Sequence, residues 1–483
     1  MNFHLSFLLL EILVFLRAVA LNSPPPLPLR PIPSWRQLQF HSRRLSMFFH
    51  FGVNTFTDSE RGSGHESPSI FNPERLNASQ WMDAAQSAGA QLVILTVKHH
   101  DGFCLWPSAY TNFSVASSSW RGGKGDVVAE FVAAARERGL DVGFYLSPWD
   151  LHESCYGDTL LYNEFYLAQL RELLTGYGPI SEVWLDGAKS PTAVNMSYDF
   201  ELWFDTIHQL QPGANIFSDA GPDIRWVGNE YGEAGQPCWA MANRSSITIG
   251  RSDGQYLMSG ESAGTDWLPP ECDISIRPGW FWHRNEAPKS LEQLLDVFYK
   301  SSARNCLLLL NVPPNSSGLI DESDFQTLER FSSAIDSIFS VNLAANPLSV
   351  TASSVRSSSF GPKQILDERM ETFWAPMQGE STGWIELDLG KVSMFNALEI
   401  REPVNMGQRV MEYHVEAWDS ELGWYLVSNG STIGYRKVDR LEEDQVCAAR
   451  LVRLLIDTSR GDPLICFFGL YFDMYNLRHL SSI

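Results

Sequence analysis

Asp186 follows the apolar run Glu182-Val183-Trp184-Leu185 and precedes Gly187, so its carboxylate emerges from a strand end with little bulk beside it. A second carboxyl, Glu230, closes Arg225-Trp226-Val227-Gly228-Asn229-Glu230, where Trp226 is placed to raise its pKa and keep it protonated. Two such groups, one a general acid and the other a nucleophile or base, are what hydrolysis of a glycosidic bond requires. Glu271, in Pro269-Pro270-Glu271-Cys272-Asp273, competes with Glu230 for the acid role. Asp186 reads equally as a helix N-cap or a loop aspartate bonded to backbone. Asp150, Asp219 and Asp223 read as residues that orient loops or hydroxyls.

His99 and His100 invite a zinc reading. Adjacent residues on a strand point to opposite faces, however, and no spaced carboxylate or histidine ligands accompany them, so no metal is expected. They, and His50 after Phe48-Phe49, read as hydrogen-bonding partners of a sugar or as structural histidines. No GxSxG favours a serine nucleophile and no GxGxxG follows the first strand. Clustered His, Asp, Glu, Trp and Tyr suit a carbohydrate, whose CH faces stack on aromatic rings while polar groups sort hydroxyls.

These residues need a frame that brings distant segments to one rim. Apolar runs at Met47–Phe51, Leu92–Val97, Val142–Leu146, Val183–Leu185, Asn215–Phe217, Arg225–Val227, Ile274–Ile276 and Leu307–Leu310 predict eight strands. Between them, helical spacing relates Val127, Val128, Phe131, Val132 and Ala135, then Tyr166, Leu170, Leu173 and Leu174, and later Leu291, Leu294, Leu295 and Phe298. Asn77-Ala78-Ser79-Gln80 is a helix start before Trp81. Polar clusters at the C-terminal ends of the strands favour a (β/α)8-type barrel over a doubly wound sheet. A helix is expected over 321–337. From about residue 341 alternation such as Trp384-Ile385-Glu386-Leu387-Asp388-Leu389 marks an all-β sandwich or jelly roll. The expected division is thus a signal peptide at 1–20, a proline-rich extended leader at 21–40, a barrel at 41–340 and a β-domain at 341–483.

The 483 residues carry 36 Lys and Arg against 57 Asp and Glu, a formal charge of −21, which argues against a nucleic-acid or anionic-membrane partner. Phe7 to Val19 is mostly apolar and ends in Ala18-Val19-Ala20, the pattern of a cleaved secretory signal; no later stretch reads as a membrane span. Secretion would accommodate the sequons at Asn77, Asn112, Asn195, Asn243, Asn315 and Asn429. The seven cysteines are too widely spaced for a zinc site, and Cys447 with Cys466, both late in the β-rich segment, is the expected bridge.

Met47-Phe48-Phe49-His50-Phe51-Gly52, Lys98-His99-His100-Asp101-Gly102-Phe103, Val183-Trp184-Leu185-Asp186-Gly187 and Ile276-Arg277-Pro278-Gly279-Trp280-Phe281 resemble glycoside hydrolase family 29, the α-L-fucosidases, in order over roughly residues 40–340. The resemblance implies a retaining hydrolase without a cofactor, acting through a covalent fucosyl-enzyme intermediate with Asp186 as nucleophile. In the branch that cleaves α-1,3 and α-1,4 fucose the acid/base is the Glu of Trp-x-Gly-Asn-Glu, which matches Glu230. His50, His99 and His100 match fucose-binding histidines, and Tyr145, Trp184, Arg277 and Trp280 are expected pocket walls. The substrates implied are fucosylated oligosaccharides or glycoprotein glycans of Lewis type. A fucose-binding lectin-like protein without catalysis, or a fucosidase of other linkage preference, stands as the alternative. Asn342–Gly390 is similar to discoidin-like modules of the coagulation-factor type, which bind sugars in many cases or else buttress a neighbouring domain.

Overall fold

The computed structural model describes residues 24–193 and 195–477; the expected signal peptide lies outside them. Eight parallel strands close into a barrel: β1 Ser46–Phe49, β2 Leu92–Lys98, β3 Asp141–Leu146, β4 Glu182–Trp184, β5 Asn215–Ser218, β6 Ile224–Trp226, β7 Pro270–Ser275 and β8 Leu307–Asn311. Each pairs with its neighbour in sequence, and β1 closes the circle on β8. Every C-terminal end therefore faces one rim.

Inward residues alternate with residues packed under the helices. Phe48, Ile94, Tyr145, Trp184, Phe217 and Leu309 fill the interior, while Met47, Val93, Phe144 and Val183 meet the helical layer. Phe131 and Val132 of helix Val127–Glu137, and Tyr166 and Leu170 of helix Thr159–Gly176, complete that layer with the spacing expected of them. Helix Ala78–Ser87 is capped by Asn77, and helix Glu322–Phe339 starts one residue after the expected 321.

β7 differs most from its sequence reading. It begins at Pro270, not Ile274, and ends at Ser275. Its inward residues are Glu271, Asp273 and Ser275, whose polarity hides the strand pattern, whereas Cys272 and Ile274 face outward.

The expected leader turns helical at Trp35. Helix Trp35–Ser42, with a Ser34–Gln37 capping box, lies across the barrel's N-terminal end: Phe40 enters the interior, and Gln37 Nε2 donates to the carbonyls of Asp223 and Trp267. Before it, residues 24–30 are strapped to the β-domain, with Arg409 Nη2 donating to Leu27 O at 2.6 Å and Leu29 N to Met406 O at 2.9 Å.

That domain is a two-sheet sandwich. Strands β9 Ser349–Ala352, β10 Gly383–Phe395, β11 Ala397–Arg401, β12 Val410–Asp419, β13 Gly423–Gly430, β14 Lys437–Arg440, β15 Cys447–Ser459 and β16 Phe467–Tyr471 form sheets ordered β9-β10-β15-β12-β13 and β14-β11-β16. Ile385, Leu387 and Leu389 alternate into the core as their pattern requires.

The expected Cys447–Cys466 bridge is absent. Cys447 sits in the larger sheet's core with Tyr425 Oη at 3.3 Å from its Sγ, and Cys466 Sγ turns to Arg401 O. The disulfide joins Cys272 and Cys306 instead, on the outward faces of β7 and just before β8. Its sequence separation of 34 residues implies a contribution of about 2–4 kcal/mol. Reductant should lower the melting temperature of wild type and of Cys447→Ser/Cys466→Ser, and leave that of Cys272→Ser/Cys306→Ser unchanged. Thermal melts with and without dithiothreitol check this; the reverse pattern would restore the original pairing.

Candidate active site

Asp186 leaves β4 at the rim with its carboxylate gripped from two sides. The Tyr145 hydroxyl donates to Oδ2 at 2.9 Å, and the Ala188 amide donates to Oδ1 at 2.6 Å. Burial and the Asp186 charge push the Tyr145 pKa well up, so it remains a phenol donor.

His50 and His100 are neutral acceptors. Asn311 Nδ2 donates to Ser275 Oγ and Trp280 O, which leaves Asn311 Oδ1 to accept from His50 Nδ1 at 2.8 Å. Ser147 Oγ donates to Trp149 O, so it accepts from His100 Nδ1 at 2.7 Å. Each ring thereby presents a bare Nε2, that of His100 lying 3.8 Å from Asp186 Oδ2. Burial lowers the His50 pKa to about 3 and that of His99 well below its usual value. Burial also lowers His100, against the Asp186 charge. Contrary to the strand argument, His99 and His100 share one pocket, their ring centroids 4.2 Å apart, because β2 ends at Lys98 and the chain turns.

Trp184 lies on Phe217 at 4.0 Å and 11°, forming the floor, and its Nε1 donates to Glu271 at 3.1 Å. Glu271 is thereby placed beneath the floor, fully buried beside Glu182, instead of facing the pocket. Burial pushes the Glu182 pKa up to about 7, and burial with the neighbouring Glu182 charge pushes Glu271 well up. Both shifts favour the neutral form, that of Glu271 the more.

Glu230 stands at the rim on a turn that Gly228 makes possible at φ 91° and that Asn229 Oδ1 fastens by accepting from the Tyr231 and Glu233 amides. It is exposed, with Trp280 Nε1 at 3.4 Å from Oε2. Trp226 does not serve Glu230: its Nε1 donates to Asp273 Oδ1 at 2.8 Å.

Arg277 is no pocket wall. Its guanidinium turns away to Asp324 at 2.8 Å and Asp321 at 2.9 Å, anchoring the loop that carries Trp280. Two lining residues, Glu60 and Arg61, escaped the sequence reading because their loop has no periodicity; Asp273 escaped because β7 was read too short. Glu60 accepts from the Trp280 and Phe281 amides and from His283 Nε2, while His283 Nδ1 bonds Asp58.

A pocket of about 210 Å³ results, lined by Phe48, His50, Glu60, Arg61, His99, His100, Tyr145, Trp184, Asp186, Glu230, Asp273 and Trp280. That is below the roughly 300–1,000 Å³ of drug-sized sites and suits one sugar ring. A second cleft of about 410 Å³, lined by Lys189, Asp219, Trp226 and Arg251 among others, shares Trp184, Asp186, Glu230 and Asp273 with it. Asp150 and Asp223 orient loops, bonding Lys98 and His208 respectively. Among the described residues no group of three or more His, Cys, Asp or Glu is arranged to hold a metal ion, and no helix is long and apolar enough to cross a membrane.

The pattern of the alpha-L-fucosidase family matches residues 26–335, and that of the F5/8 type C domain matches residues 349–466. The chain belongs to the α-L-fucosidase family. The fucosidase is 52% identical to "Alpha-L-fucosidase 1" of Arabidopsis thaliana, over 98% of this chain and 94% of that protein. Among solved structures, SpGH29 superposes with a TM-score of 0.89 at 39% identity, covering 93% of this chain and all of the other. A Ruminococcus gnavus GH29 fucosidase in complex with fucose gives 0.86 at 33% identity, covering 94% and 97%.

Two outcomes follow for the fucosidase. Glu271→Gln keeps an acceptor for the Trp184 indole and should retain activity within about threefold, whereas Glu271→Leu orphans that N–H at a cost of about 1–3 kcal/mol and should raise KM for fucosides. Second, although burial works to lower it, the His283 pKa is raised by Glu60 and Asp58. Such a shift adds stability that is fully present below the unfolded value of about 6.5 and is lost as pH rises through the folded value. His283→Gln should therefore depress the melting temperature more at pH 5 than at pH 8.5; an equal loss at both would show that the imidazolium contributes nothing.

Proposed function

We propose that this chain is a secreted, retaining α-L-fucosidase that releases terminal α-1,3- or α-1,4-linked L-fucose from Lewis-type branches of oligosaccharides and glycoproteins. Asp186 is the nucleophile: a carboxylate oxygen bonds to the anomeric carbon as the glycosidic bond breaks, and Glu230 gives its proton to the departing oxygen. Glu230, now a carboxylate, takes a proton from water as that water's oxygen displaces Asp186 and frees fucose. The observation that carries this reading is that Asp186 and Glu230 stand on the wall common to the small pocket and the open cleft, where the bond between fucose and its neighbour would lie. His50 and His100, with bare Nε2 atoms, accept from fucose hydroxyls, and Trp184 and Trp280 bound the ring.

The linkage rests on the match of Trp226-Val227-Gly228-Asn229-Glu230 to the family branch acting on α-1,3 and α-1,4 fucose. Secretion, to the extracellular space or the apoplast, is supported by the apolar N-terminal segment, the Cys272–Cys306 disulfide and exposed sequons at Asn77, Asn112, Asn195 and Asn429. Asn243 and Asn315 are the poorer glycosylation candidates, since their side-chain amides donate to Glu261 and Asp321.

Fucose release from a Lewis-type trisaccharide and from 2′-fucosyllactose tests the reading. Wild type should act on the first alone. Asp186→Ala should lose on the order of 10³-fold or more, and Glu230→Gln about 10²–10⁴-fold on the natural substrate. Equal release from both sugars would overturn the linkage, and an active Asp186→Ala the mechanism.

A further inference from the structure

The site contains a third carboxyl that neither displacement step uses. Asp273 is 3% exposed and points inward from β7. It lines both the small pocket and the open cleft, on the wall that also carries Asp186 and Glu230. Trp226 Nε1 donates to Oδ1 at 2.8 Å, which holds one oxygen of the carboxyl and does not engage Oδ2. Glu271, two residues earlier on the same face, is sealed beneath Trp184, so Asp273 is the β7 acid within reach of substrate.

We propose that Asp273 is a further substrate-contacting residue, whose Oδ2 holds a hydroxyl of the fucose ring beside the two reacting carboxyls; this rests on the assignment of Asp186 and Glu230 above. Three carboxyls around one small cavity do not all ionise, because like charges at short range in a poorly solvated site favour keeping a proton. Asp273 keeps one in addition to the proton that Glu230 donates: burial comes first in raising its pKa, and the charge that Glu230 carries once it has given up its proton, then that of Asp186, add to it. As a neutral acid it accepts the Trp226 N–H on one oxygen and donates its own O–H to the sugar from the other. An asparagine reproduces that arrangement, with Oδ1 accepting and Nδ2 donating. An alanine removes both.

Asp273→Asn should accordingly keep kcat/KM within about fivefold of wild type on an aryl fucoside and on the Lewis-type trisaccharide. Asp273→Ala should lose on the order of 100-fold or more on both alike. Calorimetric titration with fucose separates binding from turnover. Relative to Asp186→Ala alone, Asp186→Ala/Asp273→Ala should bind fucose at least about tenfold more weakly and Asp186→Ala/Asp273→Asn with the same affinity. If Asp273→Ala does not fold by thermal melt, Asp273→Ser, which retains a hydroxyl too short to span to the sugar, is measured in its place with the same expectation.

Three results would each overturn the proposal: an asparagine variant as damaged as the alanine one, an alanine variant as active as wild type, or a loss confined to the trisaccharide. If instead Asp186→Ala keeps full activity, the assignment of the reacting carboxyls fails, whatever the Asp273 variants do.

Discussion

In the proposed mechanism the Asp186 carboxylate must stay ionised and aimed, and the rest of this rim follows from that constraint. The protein aims it with two hydrogen bonds, from the Tyr145 hydroxyl of β3 and the Ala188 amide just beyond β4. Both donors are neutral. A neutral donor orients the carboxylate without the tight ion pair that would blunt its attack. The same reasoning accounts for His50 and His100, which burial strips of charge and whose Nδ1–H groups are spent on Asn311 and Ser147. Each is left able only to accept, which suits sugar hydroxyls and adds no cation beside Asp186.

Below the floor the barrel meets the same problem with charge and solves it with a proton. Glu182 and Glu271 face each other deep in the interior, and Arg43 Nη1 approaches Glu182 no closer than 3.9 Å. Two bare carboxylates there would repel strongly, which with burial favours a proton on Glu271. Retaining it on Glu271 still leaves Oε1 as an acceptor for the Trp184 indole, and the indole in turn rests on Phe217. The floor is thus held edge-on by an acid and face-on by an aromatic ring.

The strands built from aliphatic runs, β2 and β8 above all, were legible because burial on both faces leaves a near-continuous apolar pattern. Asp186 was legible because Gly187 and the run before it mark a strand end. β7 was not, since a strand that sends Glu271, Asp273 and Ser275 into a functional interior carries no hydrophobic signal on that face. Its misplacement hid Asp273 and left Glu271 as a rival to Glu230. Arg277 was misassigned for a different reason. Nearness in sequence to Trp280 said nothing of direction, and Asp321 and Asp324, some 44 and 47 residues away, decide where the guanidinium goes. Likewise no local pattern relates Glu60 to the Trp280 amide, a contact that spans 220 residues.

The β-domain has a physical role in the site that requires no ligand of its own. The connection from β6 to β7 is long and carries Glu230 at its start, so its path must be fixed. Arg225 does part of this from within, its buried guanidinium donating to the carbonyls of Trp239, Leu257 and Leu268. Burial lowers its pKa to about 10, so it remains a cation at neutral pH. The β-domain does the rest from outside. Thr432 Oγ1 and Gln408 Oε1 accept from the Cys238 and Ala240 amides, on either side of Trp239. Gln408 is flanked by Gly407 and Arg409, where the strap of residues 24–30 is tied down. The strap, the sandwich and the connection therefore form one chain of contacts that ends at the turn bearing Glu230. Trp226, four residues before Glu230, carries the connection on to Asp273 and so to the wall shared by the two cavities.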